Sequence, residues 1–119
     1  MLRALRSSEG DGSERGWLGE EAAEIAGDEG YSDAARITAL QVAAKLGNRK
    51  VLEVARRIVE GGGYRVPLKV SAVAVLGMLG DEGDVETLRG LRTSSDRRLR
   101  KAAEAALERL QGRNARTDR

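Results

Sequence analysis

Lys69-Val70-Ser71-Ala72-Val73-Ala74-Val75-Leu76-Gly77-Met78-Leu79-Gly80-Asp81 decides the fold of this chain. From Val70 to Leu79 it is apolar nearly all round, as expected of a helix with neighbours on more than one side. Pro67 precedes it at a first-turn position, where a missing N–H needs no partner. Gly80 ends the helix, and Asp81 is placed to cap the next one. The stretch also repeats. Sliding the chain by 31 residues lays Lys69, Ala72, Leu76 and Leu79 onto Arg100, Ala103, Leu107 and Leu110. Sliding it back by 33 lays Leu79-Gly80 onto Leu46-Gly47, and Leu88 and Leu91 onto Ala55 and Ile58. A period in this range marks a stack of helical pairs.

Working outward, the spacing predicts five more helices. Trp17 to Ala26 places Leu18, Ala22 and Ile25 on one face, and Gly27 ends it. Ser32 or Asp33 caps a helix that runs to Leu46. Asn48 caps the next, over 49–60, with Leu52, Ala55, Ile58 and Val59 inward. A fifth covers 82–92 with Val85, Leu88 and Leu91 inward. The sixth, 96–111, carries Leu99, Ala102, Ala103, Ala106, Leu107 and Leu110 on one side. Its other side is a polar stripe of Arg97, Lys101, Glu104 and Glu108. A stack therefore looks closed at its C-terminal end and open at its N-terminal end, where the first helix has no partner in the slot before it. Ser7 to Gly16 is polar and Gly-rich, and the residues after Gln111 are polar. Residues 1–16 and 112–119 are accordingly expected to be flexible tails around one domain, 17–111. Met1 to Arg6 has helical apolar spacing but is too short to hold a helix alone.

The Lys69–Asp81 stretch followed by Val85, Leu88 and Leu91 resembles the HEAT repeat, and more narrowly the short bacterial HEAT-like variety also found in phycobilisome lyases. Asp96, Leu99-Arg100, Ala102-Ala103 and Ala106-Leu107 match the start of the next unit. Arg36, Ala39, Leu46-Gly47, Leu52 and Ile58 match the unit before. The resemblance implies an all-α fold, a short α-solenoid of about three helical hairpins, with a concave surface that holds other macromolecules. It implies no single activity. The family's usual Pro after the turn into the second helix is replaced here by Asp81-Glu82-Gly83-Asp84, which leaves the angle between those helices open.

Composition narrows the chemistry. Cys and His are absent, which removes thiolate and imidazole metal ligands, disulfides and the commonest general base. The expectation is a protein that is not an enzyme and has no cofactor or metal. Phe is absent, with one Trp and two Tyr, so the core must be built from Ala, Val, Leu and Ile. No apolar run is long enough for a transmembrane helix, and no signal peptide is evident, so a cytoplasmic protein without a membrane partner is expected. The net charge of +2 conceals an asymmetry. Residues 1–48 hold nine acids and five bases, and residues 49–119 hold ten acids and sixteen bases.

The register singles out one constellation. Glu20, Glu53 and Glu86 share a position, as do Arg56 and Arg89, with Arg57 and Arg92 beside them. One reading is a mixed-charge groove for a protein or peptide, since Arg offers bidentate contacts to carboxylates. The plainer reading is intrahelical pairing, Glu53 with Arg56 or Arg57 and Glu86 with Arg89. A second candidate is the basic cluster Arg97, Arg98, Arg100 and Lys101, a surface for nucleic acid or an acidic partner, or simply a solvated cap face. No aromatic lies among them to stack a base. Gly61-Gly62-Gly63-Tyr64-Arg65 lacks the Lys-Ser/Thr ending of a phosphate-binding loop and reads as an insertion between repeats. Asp81 to Asp84 lacks the ligand spacing of a calcium loop and reads as a helix N-terminal charge pattern. Trp17 is either an exposed anchor or packs on the next helix. The leading expectation is a protein-interaction module within a larger protein or assembly. The alternatives are a nucleic-acid-associated repeat protein and a lyase-like HEAT protein or enzyme subunit.

Overall fold

A computed structural model describes residues 12–117, with side chains described for 16–113. Six α-helices make up the fold: α1 (Gly12–Gly27), α2 (Asp33–Lys45), α3 (Lys50–Glu60), α4 (Val66–Leu79), α5 (Val85–Leu91) and α6 (Arg97–Thr117), with a 3-10 turn at Glu82–Asp84 before α5. Among the described residues there is no strand. The molecule is a thin slab of 44 × 40 × 18 Å. That thickness suits two layers of helices, whose axes pack about 8–10 Å apart.

Local chemistry sets the helix ends. The Ser32 hydroxyl accepts from the Ala35 N–H at 3.1 Å and starts α2. Gly47 takes a left-handed φ of 73° after α2, a conformation that costs side-chain-bearing residues energy. Asn48 Oδ1 accepts from the Lys50 N–H at 2.9 Å at the start of α3. Pro67 lies in the first turn of α4. Asp81 forms a reciprocal capping box with Asp84, each carboxylate accepting from the other end of the 3-10 turn.

Packing follows the same alternation along the chain. α1 lies on α2, α3 on α4, and α5 on α6. α2, α4 and α6 form one row, and α1 contacts α3 in the other. α2 and α3, consecutive in sequence, touch less extensively. α4 is the central element, in contact with α2, α3 and α6. Its neighbours on several sides explain why it carries no polar face. Leu40, Val51, Ala72, Val73, Leu76 and Leu88 are wholly buried in one continuous core. A Cβ on Gly77 would lie 2.9 Å from Cα and 3.0 Å from Cβ of Ala106, so the α4–α6 approach requires glycine there.

Two boundaries differ from the expectation. α1 begins at Gly12 rather than Trp17, and α6 continues to Thr117 rather than ending near Gln111. Tertiary contact accounts for the second difference. Arg113 donates to the carbonyl oxygens of Met78 and, at 2.8 Å, Gly80, which ties the extended α6 to the end of α4. The expected fifth helix is a 3-10 turn followed by α5. The expectations for residues 1–11 and 118–119 lie outside the described residues.

Candidate functional site

The expected mixed-charge constellation falls on α1, α3 and α5, but most of its charge is already engaged within the fold. Glu20 accepts from Lys50 Nζ at 2.7 Å, across from α1 to α3. That contact holds the Glu20 carboxyl below its ordinary range and raises the Lys50 ammonium. Glu53 pairs with Arg56 at 2.9 Å and Glu86 with Arg89 at 3.4 Å, both within one helix. Arg57 lies apart from them, lining a shallow groove with Glu24, Asp28 and Lys50. Arg92 is farther along, beside Glu104, Glu108 and Gln111 of α6. The intrahelical pairs of the plainer reading are therefore present, and no continuous unpaired row joins these residues.

Arg56 makes its principal contact elsewhere. Its Nε and Nη2 each donate to Asp84 at 2.9 Å, a bidentate pair. Asp84 is 4 % exposed and also accepts from the Asp81 N–H at 3.0 Å. Burial pushes the Asp84 carboxyl up, but the Arg56 hydrogen bonds, the Asp81 N–H and the Arg56 and Arg49 charges together hold it below its ordinary value. The Arg56 guanidinium is raised in turn, chiefly by its bonds to Asp84. The pair ties α3 to the turn between α4 and α5, a structural clamp. Asp84 shares a register position with the buried Val51. That shared register is the signal in the sequence for an inward carboxylate.

Arg36 is a second buried charge, 5 % exposed. Its Nε donates to the Ala26 carbonyl at 2.9 Å, satisfying the end of α1, and its guanidinium lies 5.7 Å from the Tyr64 ring centre. In the basic cluster, Arg100 donates to the Ser94 carbonyl at 2.8 Å, and Arg98 pairs with Asp96 at 3.4 Å. Arg97 and Lys101 are exposed. Arg100 thus fixes the turn before α6, while Arg98 stays exposed beside Asp96. Among the described residues no cluster of Asp or Glu has the arrangement to hold a metal ion. Nor is any described helix long and apolar enough to cross a membrane.

An apolar groove lies on the outer face of α1 and α2. Leu18, Glu21, Ala22 and Ile25 of α1, with Tyr31 and with Ala35, Thr38, Ala39 and Val42 of α2, line a groove of about 470 Å³. Tyr31 is 44 % exposed and Val42 41 %, and Trp17, on the same helix as Leu18, is 49 % exposed. Register comparison explains the exposure. Shifting by 33 lays Leu18, Ile25, Ala35 and Val42 onto Val51, Ile58, Leu68 and Val75. Those four are all buried. α1 and α2 cover them, whereas nothing among the described residues covers the groove. Periodicity marks these positions as apolar, but only the arrangement of layers tells which face lacks a neighbour. No family model matches the chain, and no curated protein or solved structure matches it either.

Proposed function

We propose that this chain is a HEAT-like module, a short α-solenoid of about three helical hairpins, that binds another protein through a helical face and carries out no chemistry of its own. The alternation of helix contacts and the repeat register support the stacked arrangement. One observation carries the functional reading. The groove between α1 and α2 exposes apolar residues at positions whose equivalents in the next layer are buried. An apolar face left open on an otherwise closed stack is the ordinary signature of an interaction surface. The binding site this reading assigns is the outer groove rather than the Glu20, Glu53, Arg56 and Arg89 constellation, whose members make exposed pairs with neighbours in the fold and, for Arg56, the clamp to Asp84. The cytoplasm is the compartment it assigns.

The nucleic-acid alternative is weakened by the commitment of Arg100 to the Ser94 carbonyl and by the absence of an aromatic residue in the cluster. Among the described residues no grouping of acid, base and nucleophile favours a lyase-like activity.

The test is capture with immobilised wild-type chain, a Val42→Asp variant and an Arg89→Glu variant, followed by direct binding of each recovered protein in purified form. The reading expects a protein bound by the wild type and by Arg89→Glu but lost with Val42→Asp. A partner lost with Arg89→Glu and kept with Val42→Asp would return the site to the charged face. No direct binder at all would remove the reading.

A further inference from the structure

We infer that the cavity between the α1–α2 turn, the start of α2 and the Gly61–Arg65 loop binds a small zwitterion, a free α-amino acid. It shares no lining residue with the α1–α2 groove, so it stands or falls apart from the interaction reading.

The cavity is built around a buried cation. Arg36, in the first turns of α2, is 5 % exposed and lines it. Its Nε is committed to the Ala26 carbonyl, which fixes the side chain, and the Tyr64 ring lies against its guanidinium. Nη1 and Nη2 have no acceptor among the described residues. Burying charged donors without an acceptor is costly, so these two atoms favour any anion that reaches them. The register equivalent Arg100 is disposed differently, with Nη1 spent on the Ser94 and Ser95 carbonyls. Arg36 instead keeps the planar end of its guanidinium, which matches a carboxylate. One wall of the cavity is the loop that the sequence marks as an insertion between repeats. Gly62 and Gly63 line it, Gly63 at a left-handed φ of 85°, and the Tyr64 hydroxyl donates to Glu29 at 3.4 Å.

The charges around the cavity select the ligand. Arg36 and Arg65 line it together with Glu29 and Asp33, around a volume of about 370 Å³. Among the described residues no ion pair joins either guanidinium to either carboxylate. Elsewhere in the fold such neighbours close on one another. Glu53 pairs with Arg56 and Glu86 with Arg89, each three residues apart. Asp33 and Arg36 have the same spacing, but Arg36 turns to Ala26 instead. A lone anion in the cavity would meet Glu29 and Asp33, and a lone cation would meet Arg36 and Arg65. A molecule with both charges a few ångström apart answers both, its carboxylate on the Arg36 Nη donors and its ammonium on Asp33. An α-amino acid is the simplest molecule with that pair of groups.

The test titrates the isotope-labelled full chain with each of the protein amino acids, then compares the tightest binder with its deaminated acid and its decarboxylated amine. At least one amino acid should bind with a Kd under about 10 mM. Binding should move the amide resonances of Asp33, Gly62 and Gly63 and the Arg36 Nε–H, and leave Lys101 in place. Each analogue should bind about tenfold or more weakly than its parent, having lost one charge-assisted contact. Asp33→Asn should weaken the amino acid by about tenfold and leave the acid analogue unchanged, with thermal unfolding as in the wild type. Arg36→Lys should weaken both; should it fail to fold, the wild-type Arg36 Nε–H must still shift on binding. Equal binding by either analogue overturns the zwitterion assignment. Asp33→Asn binding the amino acid as the wild type does, shifts centred outside the cavity, or no amino acid bound at about 10 mM overturns the site.

Discussion

Replacing Arg56 with Met keeps most of the side-chain stem and removes the guanidinium from Asp84. In the wild type Asp84 is almost wholly buried and accepts from Arg56 Nε and Nη2 and from the Asp81 N–H. The variant leaves the carboxylate with the Asp81 N–H alone. Breaking a fully buried ion pair by removing one partner costs about 3–5 kcal/mol. Here the Arg56 side chain is 27 % exposed, so water reaches the vacated side and lowers the penalty. The expected loss is about 2–3 kcal/mol, or a fall in Tm of roughly 10 °C for a domain of this size. Acidity adds a signature that simple loss of packing lacks. Asp84 has a depressed value in the fold, so it contributes stability above the ordinary Asp range, lost as pH falls through its folded value. In Arg56→Met burial dominates and the sign reverses, so protonating Asp84 relieves the strain. The stability gap between wild type and variant should therefore shrink as pH falls below about 4. Urea unfolding followed by circular dichroism from neutral to acid pH measures the gap. A gap under about 0.5 kcal/mol at neutral pH, or one that widens on acidification, would refute the reasoning.

Three further outcomes are expected. Gly77→Val should destabilise by about 1–3 kcal/mol, because the added atoms meet the Ala106 backbone and must push α6 away from α4; thermal unfolding that matches wild type would contradict the close approach. Leu76→Ala removes a wholly buried side chain from the centre of the core and should cost about 2–5 kcal/mol in urea unfolding, with loss under 1 kcal/mol as the contrary result. Lys50→Ala breaks the exposed contact with Glu20 and should leave Tm unchanged within error, since such pairs contribute little; a clear fall in Tm would mean that the α1–α3 pairing depends on it.

Particular residues account for what the sequence disclosed. Val70 to Leu79 could be read as a central helix because no polar residue was left to face water, apart from Ser71. Asp81 was legible as a cap because capping is local, decided within three residues. The Glu53–Arg56 and Glu86–Arg89 pairs were legible for the same reason. The Arg56–Asp84 clamp joins residues 28 apart, and its geometry depends on how the α4–α5 turn meets α3. The extension of α6 rests on Arg113 reaching the end of α4, again a tertiary contact. The groove was half legible. Leu18, Ile25 and Val42 were recognisable as apolar positions and the N-terminal end as unpartnered, but Ile58 and Val75 carry the same pattern and are buried. The distinction lies in the presence of a neighbouring helix, to which periodicity is blind.

The claim that α1 and α2 form an uncovered end layer is tested most directly by the relaxation that a soluble gadolinium chelate induces in assigned valine methyl groups. In the free chain the Val42 methyls should relax strongly and those of Val75, at the same position one layer on, only weakly. Comparable protection of Val42 and Val75 would mean that the slot is already filled, and with it the docking surface proposed here would be lost.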